Sequence, residues 1–237
     1  MEPLKYSALE SFRVPRPVDR LEYIERLVDG KTVFDLGALD ETAVDAKKDS
    51  GDWLHARLCG RAASVIGIDN SPRVPPEGLV TQANGRIINA DIFDLSPIIR
   101  QHGKPDVIVA GELIEHLPNT FELLRSMKEN ALLRDVVLVF STPNACSWHN
   151  FLIGLAGRES THQDHLQIYS YKTLRTLFAR AGIDLVSLVP YHANFQEMIS
   201  SSGGIARVTV RGFQKIVNTL EWAAPVLGAG WIGTARI

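Results

Sequence analysis

Short apolar runs that each stop at a polar residue, with helical stretches between them, constrain the fold of this chain more than any other feature. The runs are KTVFDLG (31–37), SVIGIDN (64–70), GRIINAD (85–91), KPDVIVAGE (104–112) and RDVVLVFSTPN (134–144). Runs of this length bounded by turn residues read as buried strands. IDLVSLVPY (183–191) reads as a sixth strand and WIGTARI (231–237) as a seventh. Residues 18–29 place Leu21, Ile24, Leu27 and Val28 at helical spacing, and Gly30 stops that helix. Further helices are expected at 53–62, 121–133 and 171–182, and an amphipathic one at 204–224, between the last two strands. Strands alternating with helices imply an α/β fold, a parallel sheet covered on both faces.

The 237 residues suffice for one such domain with a sizeable core. No linker divides them, so residues 1–237 read as a single domain, with 1–30 as lead-in and first helix and 192–230 as an inserted segment. The formal net charge of -2 gives no overall pull toward nucleic acid or an anionic membrane. Cys59 and Cys146 sit in neither metal nor redox spacing, which fits reduced thiols of a cytoplasmic protein. No apolar run marks a secretory signal near the N-terminus, and none approaches a membrane span.

In open α/β sheets, ligands bind beyond the carboxyl ends of the strands. The strands end at Asp35 and Gly37, Asp69 and Asn70, Asp91 and Ile92, and Gly111 and Glu112. One terminal acid alone reads as a helix N-cap. Several on successive strands point to a ligand with many donors. Asp69 fits a carboxylate that accepts both ribose hydroxyls. Asp91 fits an acceptor for an exocyclic amine, with Ile92 packed on the base, and Gly37 lets the backbone approach the ligand closely.

The series VFDLG, VIGID, NADIFDL, PDVIVAGELIEHL, VLVFSTPN and H-x-x-x-Y-S-x-x-x-L resembles the class I S-adenosylmethionine-dependent methyltransferases over residues 31 to 190. The resemblance implies a Rossmann-like sheet of seven strands, mostly parallel, with the last strand antiparallel. It implies S-adenosylmethionine as cofactor, with Asp35 and Gly37 near its methionine part, Asp69 on the ribose, and Asp91 with Ile92 on the adenine. The first loop departs from the family pattern, since only one glycine follows Asp35. Asp35 and Asp69 are also 34 residues apart, more than the roughly 20 usual in such sites. Residues 38–52 therefore read as an inserted polar loop, and a non-catalytic cofactor-binding protein stays an alternative.

Glu112, Glu115 and His116 would share one face of a helix at i, i+3 and i+4, with Leu113, Ile114 and Leu117 on its buried side. Two carboxylates that close repel unless a cation lies between them. Carboxylates with an imidazole suit magnesium or manganese better than structural zinc. Glu-His at this place also serves positioning in metal-free methyltransferases. Together with Ser-Thr-Pro-Asn (141–144) and His165, the motif resembles the small-RNA 3′-end 2′-O-methyltransferases and the ubiquinone-pathway O-methyltransferases. That resemblance implies Glu112, Glu115, His116 and His165 as metal ligands. His149 and His116 are the candidate general bases. The expected activity is O-methylation of a small diol-bearing acceptor, a sugar or glycoside. An RNA 3′ end is the alternative, and the net charge argues against it. In the inserted segment, residues 200–204 read as a hinge. Phe213, Ile216, Val217, Leu220 and Trp222 read as a pocket cap, a homodimer face, ordinary core or, with Arg207, Arg211 and Lys215, a peripheral membrane contact.

Overall fold

The computed structural model describes residues 11–39, 51–159, 161–195, 198–199 and 202–237. Predicted runs become β1 (Thr32–Leu36), β2 (Ser64–Asp69), β4 (Gly85–Asn89), β5 (Val107–Gly111), β6 (Val137–Pro143), β7 (Asp184–Tyr191) and β8 (Gly230–Arg236). An eighth strand, β3 (Leu79–Gln82), corrects the expected seven. It pairs antiparallel to β4 at the sheet edge. Its residues alternate between half-buried and exposed, so it carries no apolar run. The strand order is β3-β4-β2-β1-β5-β6-β8-β7. As expected for this fold class, the last strand runs antiparallel, lying between β6 and β7.

Side chains alternate across the sheet and build a core on each face. Phe34, Ile108, Ala110 and Phe140 enter one core, with Leu123, Leu124, Leu174 and Phe178 from α4 (Thr120–Glu129) and α6 (Tyr171–Ala181). Val33, Val107, Val109 and Ile232 enter the other, with Ile24, Val28 and Leu58 from α1 (Arg20–Val28) and α2 (Leu54–Cys59). Each fully buried aliphatic or aromatic side chain contributes about 1.5–3 kcal/mol. Local signals set the helix ends. Asp19 caps α1 by accepting from the Glu22 N–H, and Ser170 with Thr173 forms a capping box on α6, which closes on left-handed Gly182. Two short helices had no sequence expectation: α3 (Ser96–His102) and α5 (Trp148–Leu155). The lead-in is pinned to the far side of the sheet, where the Val18 N–H donates to Pro190 O and Val18 O accepts from the His192 N–H.

β1 pairs with β2 on one side and β5 on the other. The chain therefore reverses direction across the sheet between β1 and β5, and the crevice at their carboxyl ends is the position favoured for ligands. The inserted segment contributes α7 (Gly204–Ala223), between β7 and β8 as expected. Residues 200 and 201 of the expected hinge and most of the polar loop at 38–52 lie outside the described residues.

Candidate active site

A cavity of about 680 Å³ opens at that switch point, within the usual range of about 300–1,000 Å³ for small-molecule sites. Asp35, Gly37, Asp69, Asn70, Asp91, Ile92, Gly111, Glu112, Glu115, His116 and His165 all line it. Ionisable residues to which sequence reasoning assigned no site role also line it, among them Arg20, Asp52, His55 and Asp164.

At the β1–β2 end the polar groups are fixed. Asp35 lies inside β1 rather than beyond it, is buried, and accepts from His55 Nδ1 at 2.9 Å. The Nε2 of His55 lies 2.9 Å from the Thr81 hydroxyl of β3. Burial alone would lower the His55 pKa, but the hydrogen bond and charge of Asp35, with help from Cys59, push it up to about 9. Burial pushes the Asp35 carboxyl up, against the pull of His55. Asp69 accepts the Leu39 N–H on one oxygen and the Ser71 N–H on the other, each at 2.9 Å. Each carboxylate oxygen keeps a further lone pair, which suits a pair of ribose hydroxyls. Asp91 is exposed and takes the Phe93 N–H at 2.9 Å, while Ile92 is half-buried beside it. Gly37 has φ +68, which L side chains rarely adopt, and a Cβ there would stand 2.8 Å from Leu113 Cδ1.

At the β5 end the expected helix does not form. Glu112 has φ +50, a left-handed conformation that breaks the helical path, and Pro118 follows closely. Only a 3₁₀ turn, Ile114–His116, remains. The three polar residues therefore do not share one exposed face. Glu115 is 0% exposed and buried alongside Ile114, and Leu113 is only half-buried. Glu112 is held back by Tyr191, whose hydroxyl lies 3.1 Å from each of its oxygens.

Glu115, His116 and His165 converge, with one ligand atom of each within 4.8 Å of the others. Backbone bonds bring His165 there: the N–H groups of Leu166 and Gln167 donate to Glu115 O at 2.8 and 3.1 Å. His116 Nδ1 lies 3.2 Å from Asp164 O, a carbonyl that only accepts, so in the neutral ring Nδ1 carries the proton and Nε2 the lone pair. The His116 and His165 rings are 4.6 Å apart, with His162 5.6 Å from His165. Burial, then the neighbouring His116 and His162, keep the His165 pKa below its ordinary value. Both oxygens of Glu115 are buried without a hydrogen bond, and the neighbouring Thr142 hydroxyl is equally unpartnered. Burial and the charge of Glu112 push the Glu115 carboxyl up to about 9, against smaller pulls from its own backbone N–H, the nearby Thr142 hydroxyl, which stands outside good hydrogen-bond geometry, and Arg20. Arg20, the first residue of α1, reaches in from the other face of the sheet, its Nη1 3.4 Å from the Ser141 hydroxyl.

His149 stands apart. It lies on α5, outside the cavity lining, with Nε2 3.3 Å from the Ser147 hydroxyl. Burial lowers its pKa, partly offset by the charge of Glu221.

The family model of the methyltransferase domain matches residues 13–188. The chain belongs to that family and, with its Rossmann-like sheet, is a class I S-adenosylmethionine-dependent methyltransferase. No curated protein matches the sequence at a significant level. The fold is similar to that of an S-adenosylmethionine-dependent methyltransferase from Archaeoglobus fulgidus, with a TM-score of 0.52, 15% identity and coverage of 92% of this chain and 91% of that one. It is also similar to a magnesium protoporphyrin IX methyltransferase from Synechocystis PCC 6803 with bound SAH, with a TM-score of 0.53, 13% identity and coverage of 91% and 81%. A small-RNA methyltransferase gives a TM-score of 0.56 at 14% identity, covering 97% of this chain but 27% of that one.

Proposed function

We propose that the enzyme methylates a hydroxyl of a small diol-bearing acceptor, a sugar or glycoside, with a divalent cation held by Glu115, His116 and His165. One observation carries this reading: a buried carboxylate with no hydrogen bond, next to a second acid and facing two imidazoles. An isolated buried carboxylate is costly, and a cation offsets that cost while leaving both acids ionised. Oxygen and nitrogen donors in this mixture suit magnesium or manganese. When bound, such an ion lowers the pKa of a coordinated hydroxyl.

The remaining work falls to the chain. Asp69 takes the ribose hydroxyls of S-adenosylmethionine, Asp91 and Ile92 take the adenine, and the Gly37 turn admits the methionine part past β1. Asp35 holds His55 through one oxygen and keeps the other for the methionine part of the cofactor. Glu112, steadied by Tyr191, stands outside the converging triad and supports it by charge. Of the two histidines considered as proton acceptor, His116 lines the cavity and His149 does not, but the one lone pair on His116 Nε2 serves either the cation or the proton, and with the cation bound we assign it to the cation.

The test is methyl transfer to a panel of sugars and glycosides with magnesium or manganese titrated in. Activity that a chelator leaves unchanged removes the cation. Activity on RNA 3′ ends alone, with binding that falls steeply as salt rises, replaces the small acceptor. The net charge of -2 favours the small acceptor.

A further inference from the structure

The segment between β7 and β8 is amphipathic in the inverted sense. The inward face of α7 is largely polar. Glu221 is 0% exposed and accepts from the Trp148 indole at 3.1 Å and from the Ala193 N–H at 3.2 Å, with His192 Nδ1 at 2.8 Å. Gln214 bonds to Ala193 O at 2.6 Å and to the Phe195 N–H at 2.8 Å. The outward face is apolar: Ile205 is 87% exposed, Val208 69%, Ile216 59% and Leu220 56%. α5 lies against it through the Trp148 and Phe213 rings, 6.2 Å apart, and adds Phe151, Leu152 and Leu155, all exposed, with no buried residue of its own. A single exposed leucine means nothing, but a contiguous apolar face on two adjoining helices marks an interaction site.

The exposed charges on these two helices are of one sign. The exposed charged residues of α7 are Arg207, Arg211 and Lys215, and its one acid, Glu221, is buried and engaged. Arg16 from the lead-in adds a fourth cation, stacked 4.0 Å over the Trp222 ring and bonded to Trp222 O. α5 carries no charge. A two-fold partner would bring like charges together, whereas an anionic lipid surface satisfies both the apolar stripe and its basic flank. Among the described residues no helix is long and apolar enough to cross a membrane, so the segment would lie on the bilayer rather than through it. β6 and β7 run parallel, each antiparallel to β8, so α5 and α7 leave from the same carboxyl edge of the sheet that holds the cavity.

We propose that α5 and α7 together form an interfacial docking surface for an anionic lipid bilayer, seating the enzyme with the cavity edge of its sheet near the membrane. The proposal does not depend on the acceptor or on a cation in the cavity.

The experiment is co-sedimentation of the full chain with phosphatidylcholine vesicles, with and without phosphatidylglycerol. Binding is expected only with phosphatidylglycerol, and to weaken as salt rises. Neutralising the exposed cations should weaken it by roughly fivefold per residue, so Arg207→Gln with Arg211→Gln and Lys215→Gln should lose on the order of a hundredfold. Ile216→Ser with Leu220→Ser should also release the protein while the circular dichroism spectrum stays unchanged. Absence of binding to either vesicle overturns the proposal. So does binding unaffected by both variant sets. If the same variants instead dissociate a dimer seen by light scattering and vesicles are ignored, the face is a subunit interface and the lipid assignment is wrong.

Discussion

Asp35 and Glu115 are both carboxylates buried at the carboxyl edge of the sheet, one near the end of β1 and the other just past β5. Asp35 has an imidazole 2.9 Å away, itself braced by a threonine. Glu115 has no hydrogen bond and a second acid beside it. The difference separates two uses of a buried charge. A partnered one is part of the folded frame, and its removal is felt as instability. An unpartnered carboxyl is held in its neutral form by burial and takes up its charge when a cation arrives to balance it. The donor end of the cavity should therefore govern stability and the acceptor end turnover.

The largest expected effect tests the first half of that contrast. Asp35→Asn strips His55 of its counter-charge and should cost about 3–5 kcal/mol in urea denaturation; a loss under about 1 kcal/mol would mean that the pair is not ionised. Next in size, Glu115→Gln should lower methyl transfer by at least about 100-fold, more than is usual for a group behind the ligands, while leaving the melting temperature equal or higher. A lower melting temperature would place Glu115 in the frame after all. Manganese should in turn stabilise the native protein, by about 2.7 kcal/mol at a hundredfold excess over its dissociation constant, and leave the Glu115→Gln protein unmoved in a thermal shift assay.

A pH scan sharpens the donor end further. The folded pKa of His55 is raised from 6.5 to about 9, so its contribution is fully present below the unfolded value and fades as pH rises through about 9. Melting temperature should fall across that window in the native protein and much less in His55→Gln. The smallest effect falls on the histidine outside the cavity: His149→Gln should slow turnover by no more than about twofold, against a strong slowing for His116→Gln. The reverse order would place the proton acceptor on α5.

The legible parts of the molecule were those with one strong period. Runs such as VIVAG and VLVF have no alternative to a buried strand, and the acids that follow them mark the ligand edge without further help. β3 escaped notice because LVTQ has no apolar excess, and α3 because seven residues give barely two turns of pattern. α5 is short and mostly apolar, which conceals a helix whose face is turned to solvent rather than to the core. Of the four residues read as metal ligands three converge, Glu112 does not, and the helix expected to present them is absent. Spacing alone cannot foresee that Glu112 takes φ +50 and that the turn buries Glu115. His55 was missed as an ordinary helix residue, yet a signal was there. An acid inside a fully buried parallel strand needs a partner, and Asp35 is such an acid. Arg20 left no comparable trace, because its role arises only from where α1 packs.

The position of β8 has a consequence for how the chain reaches this state. β8 pairs along its length with β6 on one side and β7 on the other, but in sequence it follows both, separated from β7 by the whole of α7. As the chain emerges from the ribosome, β6 and β7 must wait with open edges while α7 is made, and open edges recruit other strands. The slowest productive step is then closure of this long-range insertion. During that interval chaperones, or neighbouring chains, have the best access to the domain.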